Sequence, residues 1–320
     1  MLLLNDAAVD VLLTAELARD AVEDALRAHA VGRAGLSDPR SLRMRPIGRD
    51  VFYQLKGAYL LDQEVAAYRF AGFTGGEVDD EGRRILLMDL TTGRILAILA
   101  EQRLYQQRVA AELALMIDLL RPHGATRLAV VGTGRLARAT TVALQTLSPF
   151  DDVRVTSRSP VRRQEFAHAV AAEGIVGVRT VDSTEAACHD ADVILALTTA
   201  DRPVIDSAWC RPGTLVVPAG EPQELADGVL ERADRLYVDD WEQCLQIGDL
   251  VSPAADGRID RDRLSGTLAE LVAAGRQVPT GPEELVVAIA QGLTVLDVAL
   301  ADAIFRRAVA AGVGTDIPDL

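Results

Sequence analysis

The chain has 320 residues, of which 49% are hydrophobic and 25% charged, and this composition is typical of a folded globular protein with about two domains. Its 47 acidic against 33 basic residues give a formal charge of −14, so we expect neither a nucleic acid nor an anionic membrane as its partner. The three cysteines lack metal-site or redox-motif spacing, and Met1 does not lead into a signal peptide. We therefore expect a cytoplasmic protein with free thiols and no metal site.

The first part of the chain is predicted to combine helices with a sheet. Apolar residues recur at helical spacing over residues 7–30 and again over residues 102–120. Between these helices, short apolar runs alternate with turn signals, which favours an antiparallel or mixed sheet. The runs are residues 51–55, 66–73, 84–90 and 95–100.

From residue 127 onwards, predicted strands alternate with predicted helices, which is typical of a parallel sheet with right-handed crossovers. The strands are predicted at residues 128–131, 153–156, 193–197, 214–217 and 235–238, and the helices at residues 136–147 and 162–173. After Pro279 the chain is predicted to be helical up to Gly312, which is long enough to return to the first part.

A glycine-rich turn directly follows the strand at residues 128–131 and opens the next helix. Its sequence, GTGRLA, has the G-x-G-x-x-A pattern of a dinucleotide-binding turn. The first glycine permits a tight turn, the second allows close approach of a pyrophosphate, and the helix N-terminus faces the phosphates. We assign to the cofactor site Gly132, Thr133, Gly134, Arg135 and Leu136.

The strand at residues 153–156 ends without the acidic residue that NAD-selective enzymes place there to bind the ribose hydroxyls. Ser157 and Arg158 follow the strand instead, with Arg162 and Arg163 behind them, and their donors suit a 2′-phosphate. The sequence therefore favours NADP as the cofactor, with NAD as the alternative.

Short motifs along nearly the whole chain resemble those of the ornithine cyclodeaminase and mu-crystallin family, in the same order and at the same spacing. Besides the glycine-rich turn, the matching pieces are Asp38-Pro39-Arg40, Leu55-Lys56-Gly57, Tyr68-Arg69-Phe70, Met88-Asp89, Thr91-Thr92-Gly93, Arg108-Val109-Ala110-Ala111, Ala191-Asp192-Val193-Ile194, Glu224-Leu225, Val238-Asp239-Asp240 and Gln291-Gly292.

The resemblance implies an α/β fold with a central Rossmann-type NAD(P)-binding domain at residues 121–289. A discontinuous α+β domain at residues 1–120, to which residues 290–320 return, would bind the substrate and form a homodimer. Members of the family move a hydride at the α-carbon of an amino acid or its imine. We therefore expect an NAD(P)H-dependent imine or ketimine reductase, or an amino-acid dehydrogenase, acting on a 2-imino (2-oxo) acid.

The resemblance also assigns roles to four basic residues. Arg108 and Arg40 match family positions that bind the substrate carboxylate, a task suited to the planar guanidinium. Lys56, the single lysine of the chain, would contact this carboxylate or supply the proton to an imine nitrogen. Arg69 stands where the family usually has lysine, and because arginine does not release its proton, we expect it to clamp an anion.

Three further residues are expected on the nicotinamide side of the cofactor. Thr198 follows the strand at residues 193–197, at the edge where a doubly wound sheet presents its ligand. Gly220 and Gly292 match family glycines where the backbone would approach the cofactor.

Two other functions stay open on this scaffold. A cyclodeaminase with bound NAD would release ammonia without net cofactor change. The catalytic aspartate of that branch is missing here, and the adjacent Glu221 would have to substitute for it. A non-catalytic, mu-crystallin-like protein that binds NADP or a small ligand is the second alternative, because the lysine and aspartate positions of the family have changed.

Overall fold

The computed structural model describes residues 1–74, 77–78 and 82–318. The chain forms two compact units, one of Met1–Arg108 with Leu293–Leu320 and one of Val109–Gly292. The domain boundaries predicted from the sequence follow residues 120 and 289. The role expected for each domain stays a prediction. Within the described ranges, no helix is both long and apolar enough to cross a membrane.

Helices and strands follow one another along the described part of the chain. The elements that begin before residue 121 are β1 Leu2–Leu4, α1 Asp6–Leu12, α2 Ala15–Ala30, β2 Ala34–Leu36, β3 Leu42–Met44, β4 Val51–Leu60, β5 Val65–Thr74, β6 Glu77–Val78, β7 Arg84–Asp89, β8 Ile95–Ala100 and α3 Gln102–Leu120. The next elements are β9 Arg127–Val131, α4 Arg135–Leu147, β10 Asp152–Thr156, α5 Pro160–Ala172, β11 Val178–Thr180, α6 Thr184–Cys188, β12 Val193–Ala196, β13 Thr214–Pro218, α7 Val229–Arg232, β14 Arg235–Val238, α8 Trp241–Cys244, α9 Val251–Ala255, β15 Gly266–Thr267, α10 Leu268–Ala274 and β16 Leu285–Ile289. The last two are α11 Thr294–Ala311 and β17 Thr315–Asp316.

The first unit is built on a mixed sheet with the order β17-β1-β8-β7-β5-β4-β2, in which β3 also pairs with β4 and β6 with β5. Strand β1 runs parallel to β8, whereas the β4–β5 and β5–β7 pairs are antiparallel. Helix α11 packs against α2 and β4, and most of its residues are buried. The mixed sheet expected from the sequence is thereby confirmed.

The second unit is built on a parallel sheet with the order β11-β10-β9-β12-β13-β16-β14-β15. After β9 the chain adds β10 and β11 on one side and then returns to place β12 on the other. The gap between the carboxyl ends of β9 and β12 is therefore the topological switch point, where doubly wound sheets bind their ligands. This arrangement confirms the predicted Rossmann-type architecture.

Two predicted elements are wrong in their boundaries or type. Residues 7–30 form two helices, because the Thr14 side chain accepts a hydrogen bond from Leu17 N and starts a new helix there. The chain after Pro279 is not helical throughout, since Leu285–Ile289 forms β16 between β13 and β14. A short run of fully buried apolar residues has the same appearance in a central parallel strand and in a buried helix.

Candidate functional site

The glycine-rich turn between β9 and α4 has the geometry of a dinucleotide cradle. Gly132 has φ +123°, and a Cβ at this position would collide with the carbonyl oxygen of Leu197. Gly134 begins α4 without a side-chain cap, and no described atom lies within 4 Å of the place where its Cβ would stand. The first backbone N–H groups of α4 are thus left for a ligand, and the cradle fits the phosphates of a dinucleotide.

The end of β10 lies beside this turn. The Thr133 hydroxyl donates to Ser157 Oγ at 3.0 Å, which fixes the start of the following loop. Arg158 is exposed. Arg163, which we expected to add to these donors, is instead buried, where it donates to the Ser157 carbonyl at 2.7 Å and pairs with Asp182 at 2.7 Å. The donors left for an adenosine phosphate at this point are therefore those of Ser157, the exposed Arg158 and Arg162, and the turn itself.

The next two loops along the sheet contain Thr198 and Gly220. Thr198 follows β12, and its Cγ2 would lie 3.4 Å from a Cβ on Gly132. Gly220 follows β13, and a Cβ there would collide with the Thr198 carbonyl oxygen and with the Glu224 carboxyl group. The structure thus brings three of the predicted cofactor residues together at the carboxyl ends of β9, β12 and β13.

Gly292 lies beyond β16, where φ is +84°. The buried Asp239 carboxylate, which follows β14, accepts hydrogen bonds from the backbone N–H groups of Gln291 and Gly292. Burial raises the pKa of Asp239, although these hydrogen bonds oppose that shift. The loop that contains Gly292 is therefore fixed by a carboxylate of the neighbouring strand.

The first unit contains a cluster of arginine side chains around the Tyr105 ring. The guanidinium carbons of Arg69, Arg83 and Arg108 lie 4.7, 5.0 and 5.0 Å from the ring centre. All three arginines are at least 93% buried. A tyrosine face attracts cations, so the ring acts as a common support for three charges that would otherwise repel one another.

Two buried carboxylates neutralise part of this charge. Arg69 Nε donates a hydrogen bond to one carboxylate oxygen of Glu101, and the other oxygen of Glu101 lies 3.8 Å from Arg83 Nε. Asp297 of α11 accepts a hydrogen bond from Arg108 Nε at 2.9 Å. Burial lowers the pKa of the Arg69 guanidinium, but the two carboxylates outweigh burial and raise it, so this side chain stays charged.

Lys56 and Arg69 are direct neighbours across the β4–β5 pair, so their side chains emerge on the same face of the sheet. The loop that contains Arg40 is fixed next to Lys56, because Ser37 N donates to the Gly57 carbonyl oxygen and the Ser37 hydroxyl accepts from Gly57 N. The predicted substrate residues Arg40, Lys56, Arg69 and Arg108 all belong to the first unit.

The structure reveals further residues at these sites to which the sequence analysis gave no role. In the first unit they are Glu101, Tyr105, Arg83 and Asp297, and in the second unit Glu224 and Asp249. A sequence signal existed for some of them. Glu101, Tyr105 and Arg108 recur at helical spacing, and Asp297 interrupts the apolar run of residues 295–301, where an acidic residue needs a partner.

Burial disfavours ionisation of the cysteine thiols. Cys188, Cys210 and Cys244 are buried, and burial raises the pKa of Cys188 to about 12 and that of Cys210 to about 11. Within the described part of the chain, no group of three or more His, Cys, Asp or Glu side chains could hold a metal ion.

Comparison with known proteins shows the family of the chain. The model of the ornithine cyclodeaminase/mu-crystallin family matches residues 1–312. A Delta(1)-pyrroline-2-carboxylate reductase of Paracoccus denitrificans is 32% identical over 232 residues, which cover 69% of this chain and 72% of that protein. The ketimine reductase mu-crystallin of Mus musculus is 30% identical over 192 residues, which cover 58% of this chain and 60% of that protein.

One solved structure extends the likeness to the full length of the chain. It is that of Thermococcus litoralis Delta(1)-pyrroline-2-carboxylate reductase in complex with NADH and L-proline. The match covers 99% of this chain and 100% of that chain, with a TM-score of 0.89 and 24% sequence identity, which shows a common fold. The fold and the family match together confirm the family that the motifs predicted: the chain belongs to the ornithine cyclodeaminase/mu-crystallin family.

Proposed function

We propose that this chain is an NAD(P)H-dependent reductase of 2-imino acids, the class of activity for which its reductase relatives are named. The observation that carries the proposal is the buried Arg108 guanidinium, held by Asp297 and Tyr105, in a chain that also contains an open dinucleotide turn. The same residues would serve the reverse reaction, in which an amino acid is oxidised to its imine.

Arg108 would hold the substrate carboxylate. Asp297 accepts a hydrogen bond from Arg108 Nε, and the Tyr105 ring packs against the guanidinium. The guanidinium is therefore fixed before the substrate arrives. A fixed planar fork of donors binds a carboxylate with less loss of side-chain entropy than a flexible lysine. We assign Arg40 and Lys56 to the same carboxylate.

Lys56 would supply the proton that the imine nitrogen gains. When bound, the reduced nicotinamide would supply a hydride to the imine carbon, so that the products are an amine and NAD(P)⁺. Arg69, across the strand pair from Lys56, keeps its charge and cannot release a proton at neutral pH. Arg69 would therefore clamp the anion and favour the proton transfer from its lysine neighbour.

The cofactor would be held by Gly132, Thr133, Gly134, Arg135 and Leu136 in the turn, by Ser157 and Arg158 on its adenosine side, and by Thr198, Gly220 and Gly292 on its nicotinamide side. We propose NADPH as the preferred reductant, because Ser157 and Arg158 offer donors where an NAD-selective site has a carboxylate.

The test is NADPH and NADH oxidation with a panel of imino acids. The panel contains Δ1-pyrroline-2-carboxylate, its six-membered ring homologue, and open-chain 2-oxo acids supplied with ammonia or methylamine. We expect turnover with at least one of them. We also expect Arg108→Lys to raise KM by roughly tenfold or more, because one guanidinium–carboxylate pair is lost.

Arg103→Lys is the matched control, because Arg103 lies on the same helix but is partly exposed and paired with Asp10. It should leave KM unchanged. Failure to oxidise either cofactor with the whole panel would overturn the proposal. Ammonia release from a diamino acid without net cofactor change, lost in Glu221→Gln, would identify a cyclodeaminase instead.

A further inference from the structure

We propose that Glu224 is the positioning residue for the nicotinamide side of the cofactor site: its carboxylate ties the loops after β12 and β13 into one rigid surface. The inference rests on the proposed dinucleotide binding and concerns a residue that touches neither cofactor nor substrate in that proposal.

The Glu224 carboxylate is fully buried and bonded on both of its oxygens. Oε1 accepts a hydrogen bond from Thr198 N at 2.6 Å, in the loop after β12. Oε2 accepts from Ala219 N at 3.0 Å and from Gly220 N at 2.7 Å, in the loop after β13. One side chain therefore accepts hydrogen bonds from three backbone N–H groups of two loops, and it shares Ala219 N with the Ala196 carbonyl oxygen. A carboxylate is the acceptor that binds such donors most strongly.

A second buried carboxylate holds Glu224 itself. Asp249 Oδ1 accepts hydrogen bonds from Glu224 N at 2.9 Å and from Leu225 N at 2.7 Å. The Glu224 backbone carbonyl in turn accepts from Val204 N and Ile205 N at 2.8 and 2.9 Å. Because both its backbone and its carboxylate are fixed, Glu224 cannot follow a movement of the loops and instead restrains them.

The restrained loops lie where the nicotinamide half of a dinucleotide binds. Thr198 approaches Gly132 across the switch point, and Gly220 has no room for a Cβ beside the Thr198 carbonyl. The adenosine half belongs to the other side of this point, at Ser157 and Arg158. Weakening the hydrogen bonds of Glu224 should therefore reduce the binding of the nicotinamide half of the cofactor and leave that of the adenosine half unchanged.

The experiment compares Glu224→Gln with wild type in the binding of NADPH and of 2′-phospho-ADP-ribose, which lacks the nicotinamide. An amide can turn its oxygen to one side only, so at least one backbone N–H would face an NH₂ group. We expect NADPH affinity to fall by roughly tenfold or more, whereas the affinity for 2′-phospho-ADP-ribose stays within about twofold.

A second readout needs no cofactor. Amide hydrogen exchange at Thr198 and Gly220 should be faster in Glu224→Gln than in wild type, because their N–H groups donate to the Glu224 carboxylate. If that variant does not fold, Glu224→Asp replaces it, because the shorter carboxylate keeps the charge but cannot reach both loops. The same two affinities and the same exchange rates are then measured.

Asp192→Asn is the matched control. Asp192 also accepts two backbone hydrogen bonds, from Thr126 N and Arg127 N, but at the amino ends of β9 and β12. Neither affinity should change in this variant. Unchanged NADPH affinity in the Glu224 variant, or equal losses for both ligands, would overturn the positioning role alone. A wild-type protein that binds neither ligand would overturn the proposed function, and this inference with it.

Discussion

Arg158 is the residue on which the choice of cofactor depends most directly. It is exposed just beyond β10, next to Ser157, which the Thr133 hydroxyl holds in place. We expect Arg158→Ser to lower the preference for NADPH over NADH by roughly tenfold, because one charge-assisted contact to the 2′-phosphate is lost. The measurement is kcat/KM with each cofactor.

Arg276→Ser provides the comparison for this variant, because Arg276 is also exposed but follows α10. Its cofactor ratio should equal that of wild type. A ratio that Arg158→Ser leaves unchanged contradicts the assignment of the 2′-phosphate to this residue.

Two buried acids should make stability depend on pH. Burial raises the pKa of Glu224 from 4.5 to about 7 and that of Asp249 from 3.8 to about 6. Because the folded protein binds these protons more tightly than the unfolded chain, the free energy of unfolding should fall as pH rises through these windows. The contribution of Glu224 is present below about pH 4.5 and is lost as the pH rises through about 7.

Glu224→Gln cannot ionise, so its stability should fall less steeply over this pH range. The difference between wild type and variant should change by up to about 3 kcal/mol from pH 4.5 to pH 7. Urea unfolding across the range measures it, and parallel curves for the two proteins would contradict the raised pKa. Above about pH 7 the ionised carboxylate thus lowers stability while it accepts hydrogen bonds from three loop N–H groups.

The sequence identified the residue types of the candidate site better than their partners. Lys56, Arg69 and Arg108 emerged from motifs, because a short pattern of unusual residues can be recognised along the chain. The pairing of Arg69 with Glu101 could not be predicted, since it joins a strand to the residue before a helix. Such tertiary contacts depend on the register of the sheet, which the sequence pattern leaves open.

At the scale of elements, the Arg108–Asp297 pair links α3 to α11 within the first unit. Both side chains are at least 96% buried, so removing the charge of Asp297 would leave a buried guanidinium with a weaker partner. We expect Asp297→Asn to reduce the free energy of unfolding by about 3 kcal/mol and to raise KM for the imino acid. Denaturant unfolding and steady-state kinetics measure these effects.

Asp302→Asn on the same helix is the control. Its partner Arg306 is 60% exposed, so this pair should contribute less than about 1 kcal/mol, and KM should not change. Equal losses in the two variants would show that the Arg108 pair has no special role.

Most elements followed from hydrophobic periodicity, whereas two kinds of feature did not. Strand β16 could not be separated from a buried helix, because it lies between β13 and β14, is buried along its whole length and has only apolar residues. Short strands such as β2 and β11 contain three residues each, too few for an alternation to appear. Their existence depends on pairing with longer neighbours.

At the scale of the whole molecule, the net charge of −14 contrasts with the arginine cluster around Tyr105. The site that we assign to an anionic substrate therefore lies in a protein that repels anions at long range. Substrate affinity should depend on local contacts, which salt screens less strongly than the long-range field of exposed charges.

The homodimer stays a prediction of the family resemblance. We expect a mass of twice the 34.3 kDa chain in sedimentation equilibrium. A mass equal to one chain over the accessible concentration range would contradict it.

The central claim, hydride transfer to an imine carbon, is tested most directly with NADPH deuterated at the transferable C4 position. The wild-type protein is incubated with the cofactor and the imino acid that the panel identifies, and the amine product is analysed by mass spectrometry. The account predicts a product that contains one deuterium at the α-carbon and an equal amount of NADP⁺. A product without deuterium, or deuterium that remains on the cofactor while ammonia is released, would contradict it.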